Sequence, residues 1–131
     1  MIADPQRFPT WGNSPSEWET AKRQATNKMI EVAKRRGTIS YSDLVVAITA
    51  IRLQPDEKPF HNLLGQISIE ENEAERGMLS VVVVHKGGDF RPGPGFFELA
   101  QDLGRDVREP DKFWSEELQR VYDVWPRPKS D

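Results

Sequence analysis

The 131-residue chain has no cysteine. Disulfides, thiolate nucleophiles and cysteine-based zinc sites are therefore excluded together. Histidine is scarce: only His61 and His85 occur, with no H-E-x-x-H or H-x-H spacing. A metal centre would have to be assembled from distant segments, so neither a metal nor a cofactor is expected. No apolar stretch reaches the roughly 18 residues of a membrane span. The opening residues, MIADPQRFPTW, carry an Asp and two prolines where a signal peptide would have its apolar centre. The expectation is a cytoplasmic, soluble protein without a membrane partner.

Two phosphate and acyl-transfer motifs are also missing. Lys86 precedes Gly87 and Gly88, the reverse of a P-loop, and Pro92 and Pro94 interrupt the approach to the next helix. Ser80 lies in Leu79-Ser80-Val81, which is no G-x-S-x-G elbow.

Charge is present but unevenly placed. Residues 1–40 carry seven Lys/Arg against four Asp/Glu, a net +3, and residues 41–131 carry eleven against seventeen, a net −6. A general polyanion binder is thereby excluded. Any nucleic-acid contact must be local to the first helix, through Lys22, Arg23, Lys28, Arg35 and Arg36.

The pattern along the chain predicts a helix-dominated α+β fold, with about five helices around a small sheet, in one domain over 1–131. Residues 1–13, with Pro5, Phe8, Pro9 and Trp11, read as an extended arm docked on the body. Ser14 with Glu17 forms a capping box, and Trp18, Ala21, Ala25, Met29, Val32 and Ala33 form one stripe on a long helix that Gly37 stops as its C-terminal cap. Thr38-Ile39 is a very short strand, and Ser40 with Asp43 caps a second helix running to Pro55. A third helix opens near Pro59, with a break or kink expected at Gly65 and the second capping signal, Ser68 with Glu71. Met78 to His85 contains an unbroken run of Val81 to Val84, rich in β-branching and apolar on both faces; a strand covered on both sides by helices is expected. Its ladder partner should be a strand within Asp89 to Arg91 or a second copy of the chain, giving a homodimer through a strand edge. The Gly87 to Gly95 stretch is a turn-former cluster, a short helix closes at Gly104, and a last helix runs from Pro110 to Pro126. Residues 14–104 form the core, 105–125 the C-terminal helix and 126–131 a tail.

The order helix, short strand, helix, helix, strand, loop is that of a winged helix. Gly37-Thr38-Ile39-Ser40-Tyr41-Ser42-Asp43-Leu44 resembles the G-x-[IV]-x-Y-x-x-L segment of the winged-helix domain of alkylguanine alkyltransferases, whose nucleophilic cysteine has no counterpart here, so that chemistry is excluded. Leu64-Gly65 with Ile67 and Glu71, Leu79-Ser80 before the valines, and Pro94-Gly95-Phe96-Phe97 resemble small uncharacterised bacterial proteins with a winged-helix-like core. The resemblance implies a winged-helix-like core with a C-terminal helical extension.

Function follows in three classes. The favoured reading is non-catalytic recognition of a macromolecule, either nucleic acid through the basic residues of the first helix or protein through Trp11, Lys86 and Arg91. The acidic run Glu70, Glu71, Glu73 and Glu75 would face phosphates if the third helix entered a major groove, and this weighs against conventional winged-helix DNA binding. The alternative is a small hydrolase-type enzyme using His61, Glu71, Ser80 and His85. That requires His61, Glu71 and either Ser80 or His85 to meet at an open pocket, and they are expected to lie dispersed, with His61 a satisfied core or boundary histidine.

Overall fold

The computed structural model describes residues 9–86 and 91–126. Ser14 starts helix α1, Pro15–Lys34, as its capping box requires: the Glu17 N–H donates to Ser14 Oγ at 3.1 Å and that hydroxyl donates to Glu17 Oε1 at 2.8 Å. The helix closes on a wrapping bond from Gly37 N–H to Val32 O at 3.1 Å. The left-handed residue of this cap is Arg36, at φ +54°, so Gly37 follows the turn and does not make it.

Strand β1 is Ile39–Ser40, and Ser40 caps the short helix α2, Tyr41–Val46, by accepting the Asp43 N–H at 3.0 Å. Helix α2 ends well before Pro55. Ile48 and Ile51 are nonetheless buried, carried by irregular chain that Gln24 of α1 holds through bonds from the Thr49 and Ala50 N–H groups to its Oε1. Helix α3, Lys58–Glu73, runs unbroken through Gly65 and Ser68, without the break the sequence suggests. Gly65 admits Leu99 at 3.7 Å from its Cβ position, and the Ser68 hydroxyl caps nothing, because it is turned into the core.

That hydroxyl explains the largest departure from the sequence reading. Leu79–Val82 is a turn of 3-10 helix, and only Val83–Val84 is strand, β2. A buried strand needs ladder partners for its N–H groups. Here side chains supply them: Met78 N–H donates to Glu117 Oε2 at 2.8 Å, and Ser80 N–H donates to Ser68 Oγ at 3.0 Å. Val81 N–H closes the turn on Met78 O at 3.0 Å. The run is covered by α1, α3 and the last helix, and every residue from Met78 to Val84 is buried.

β1 and β2 pair in parallel, Ile39 opposite Val83 and Ser40 opposite Val84. The ladder partner thus lies within the chain, and His85 N–H reaches Arg91 O at 2.9 Å. Asp89 and Phe90, within the stretch where the sequence predicts a further strand, lie outside the described residues, as do Phe8 and most of the N-terminal arm. Helix α4, Pro94–Asp102, ends at Gly104 (φ +81°), and α5, Pro110–Val124, packs Phe113, Val121 and Tyr122 inward. A single apolar cluster draws side chains from all five helices. No helix of the described residues is long and apolar enough to cross a membrane.

Candidate ligand-binding cleft

A cleft of about 760 Å³ opens where the start of α2, the start of α3, the end of β2 and the start of α4 meet. The sequence makes it locally. Pro94 at the first helical position lets α4 begin abruptly after its N-cap Gly93, and the His85–Arg91 backbone bond returns the chain to β2. Gly93 keeps this approach close, since any side chain there would displace the exposed His85 ring. A Cβ there would stand 2.9 Å from His85 Nε2 and 3.6 Å from Tyr41 Oη.

Tyr41 is the central side chain, 9% exposed. The ring of His61 stacks obliquely on it at 5.3 Å between centroids and that of His85 at 4.8 Å, with Phe60 at its edge. Tyr41 Oη accepts the Gly93 N–H at 3.0 Å. Burial pushes its phenol above the ordinary value, and the Gly93 bond partly offsets this. His61 is exposed, not a core-boundary residue; its Nε2 lies 2.9 Å from Pro55 O. A ring nitrogen facing a carbonyl carries the proton, which leaves Nδ1 as the acceptor of the neutral ring. The ring nitrogens of His85 have no hydrogen-bond partner among the described residues.

Three of the four hydrolase candidates, His61, Ser80 and His85, therefore line one cleft, although the sequence reading places them apart. They do not form a triad. Ser80 Oγ is joined to Ser68 Oγ at 2.6 Å, and among the described residues no histidine or carboxylate bonds to it. Glu71 is nearly buried elsewhere, paired with Arg76. The carboxylate that does line the cleft, Asp56, carries no sequence signal.

Beside the cleft runs a groove of about 470 Å³ lined by Lys28 and Arg35 of α1, Lys86 after β2, the hydroxyl residues Thr38 and Ser40, and Asp43. Lys28 is shared with Glu31 at 3.3 Å. Arg35 and Lys86 have no acidic partner among the described residues. Lys86 lines both the groove and the cleft.

The other cations of α1 are disposed differently. Lys22 is 7% exposed and paired with Glu70 and Glu19, so it belongs to the packing between α1 and α3. Arg23 is exposed beside Thr20. Arg36 lies over the Tyr122 ring at 5.7 Å and near Asp123 at 3.8 Å. Of the protein-partner candidates, Trp11 is 43% exposed, whereas Arg91 pairs with Asp111 at 2.5 Å and lies over the Phe97 ring. Pro9 is tied to the body by Gln66 Nε2 at 3.3 Å, and the same Gln66 accepts the Trp18 indole N–H at 2.8 Å.

Among the described residues no three His, Asp or Glu side chains come together to hold a metal ion. The sequence reading overlooks Tyr41 as a site residue, because its helical spacing marks it only as core. The proline–glycine succession after the valines was the available signal for Gly93. No family model, curated protein or solved structure matches the chain.

Proposed function

We propose that this protein is a nucleic-acid-binding domain of winged-helix-like order that reads phosphates along the groove of Lys28, Arg35 and Lys86. The observation that carries the reading is the convergence of these three cations, from the middle and end of α1 and from the exit of β2, on one groove where two of them have no carboxylate partner. Cations without partners in a chain of net charge −3 concentrate its positive potential on one face. Thr38 and Ser40 add hydroxyls to the same wall. The third helix takes no part in this reading, since Glu70 and Glu71 are spent on Lys22 and Arg76 and its C-terminal end is acidic.

Binding is weak and salt-sensitive. With three cations engaged, log Kd changes with log salt by a slope of about 2 to 3, and non-specific affinity is on the order of tens of micromolar at physiological salt. Fluorescence anisotropy of a labelled single-stranded and a labelled duplex oligonucleotide, at low and physiological salt, tests it. Lys28→Glu with Arg35→Glu is expected to weaken binding at least tenfold and flatten its salt dependence, and Lys22→Glu is unsuited as a probe because it breaks the packing against Glu70. A wild type that binds neither strand at low salt removes the reading. Recognition of a protein through the exposed Trp11 would then lead, tested by a pull-down in which Trp11→Ala loses the captured partner.

A further inference from the structure

The groove ends at Lys86, and beyond Lys86 lies the histidine cleft, whose polar groups the groove does not use. Four features of that cleft point the same way. His85 Nε2 and Tyr41 Oη both lie against Gly93, at 2.9 Å and 3.6 Å from where a Cβ would stand, and all three residues line the cleft. Tyr41 Oη already accepts the Gly93 N–H, so its own proton is left to donate, and no acceptor for it occurs among the described residues. Gly95 lies in the first turn of α4, where its N–H has no helical partner, and nothing stands within 4 Å of its Cβ position, so a ligand can approach the backbone closely. Lys86 brings a full positive charge to the same wall.

We infer that this niche binds a phosphomonoester, held by His85, the Tyr41 hydroxyl, the Gly95 N–H and Lys86. The Tyr41 O–H, the Gly95 N–H and the Lys86 ammonium are all donors, which suits a group with several anionic oxygens. His61 differs: with Nε2–H committed to Pro55 O, its Nδ1 accepts, and Asp56 is a second acceptor on the cleft wall. Acceptors at that side suit the hydroxyls of a sugar or the amino groups of a base attached to the phosphate. The cleft has room for one nucleotide, its volume falling within the range of about 300 to 1,000 Å³ of small-ligand sites. The ligand class is thus a nucleoside monophosphate or the phosphorylated end of a strand whose backbone lies in the groove. The strand-end form rests on the proposed nucleic-acid binding; the mononucleotide form does not.

The test uses the full chain and two readouts. In the first, the imidazole signals of His85 are followed by NMR while inorganic phosphate and then a mixture of nucleoside monophosphates are added. Saturable movement of the His85 signals, absent with sodium chloride at equal ionic strength, supports the niche, and no movement at millimolar concentrations of either probe overturns it. In the second, single-stranded oligonucleotides of one sequence are compared with 5′-phosphate, 3′-phosphate and hydroxyl ends. A phosphorylated end is expected to bind about tenfold tighter than the hydroxyl end, the worth of about one hydrogen bond to a charged group. His85→Ala and Gly93→Ala are expected to bring that ratio to one. Lys28→Glu with Arg35→Glu weakens all three strands while keeping the ratio.

Loss of oligonucleotide binding in the wild type sinks the groove and leaves the niche to the first readout. Saturation with nucleoside monophosphates without any end preference assigns the niche to a free nucleotide. Because His85 is exposed, His85→Ala should keep the fold, and an undisturbed melt confirms that lost phosphate response comes from the niche.

Discussion

The segment from Met78 to His85 has a polar cluster at each end, and the two are built on opposite principles. At its start, Glu117, 1% exposed, accepts the Met78 N–H and grips Arg105 with both oxygens, at 3.0 and 2.5 Å, while Arg105 also donates to Asn72 and covers the Phe113 ring. Every strong group there is spent within the protein. At its end, Tyr41, His61 and His85 are stacked together, but a phenol proton, the His85 ring and Lys86 are left unspent beside a cleft. A sealed cluster fixes the fold, whereas an open one is available for a ligand. Of the unspent groups only the Tyr41 hydroxyl is buried, and because a buried donor left unpaired carries a high cost, it marks the place where a ligand gains most.

Breaking the sealed cluster should produce the largest effect. Glu117→Ala strands the Arg105 guanidinium and the Met78 N–H together, and is expected to cost about 3 to 5 kcal/mol, enough to abolish a cooperative urea transition or move it to much lower denaturant. Glu117→Gln keeps the shape and one acceptor and should cost less. A transition for Glu117→Ala near that of the parent would show that the node is dispensable.

Ser68→Ala comes next. It leaves the buried Ser80 N–H without an acceptor, with an expected loss of about 1 to 3 kcal/mol in the same urea measurement. The outcome also bears on why Leu79 to Val82 curls: if Ser68 and Glu117 replace the ladder, removing either should loosen the turn, seen as faster hydrogen exchange at Ser80 and Met78.

How much of this was legible beforehand differs between the two clusters for a physical reason. The capping boxes at Ser14 and Ser40, the helices near Pro94 and Pro110, and the burial of the valine run follow from local spacing, and they are where the sequence puts them. The same local signals mislead at Ser68 and over Leu79 to Val82. A serine three residues before a glutamate reads as a cap, and four valines read as a strand, unless one knows that Ser68 meets Ser80 across twelve residues. Both histidines were singled out by sequence, yet their meeting depends on Tyr41, whose helical spacing announces only a core residue. Glu117 with Arg105 was invisible, being two charges in a polar stretch. Contacts at a distance decide each of these cases.

A moderate effect is expected at high pH. Burial raises the phenol of Tyr41 above 10.0, with the Gly93 N–H opposing, and burial also raises that of Tyr122, with Arg36 opposing. These are the only two tyrosines. A raised phenol holds its proton longer in the folded state than in the unfolded one, so stability is intact below pH 10 and declines as pH rises through the folded values. Absorbance at 295 nm should therefore show tyrosine ionisation later than in urea-unfolded protein, rising together with loss of the circular dichroism signal. Tyr41→Phe should delay that alkaline loss.

The smallest effect on stability is expected at the open cluster. His85→Ala and His61→Ala remove exposed rings, and each should change unfolding free energy by no more than about 0.5 kcal/mol. A loss of several kcal/mol in either would mean that the histidines hold the fold as Glu117 does, and the contrast between the two ends would collapse.

The most direct measurement of the central claim is an amide NMR titration of the wild type with a short 5′-phosphorylated oligonucleotide at low salt. The account predicts that shifts gather on Lys28, Arg35, Lys86, His85 and Gly95, fade as salt is raised, and spare Arg105 and Glu117. Shifts gathered on Trp11 and α5 with none at Lys86 or His85, or no shifts at all, would contradict it.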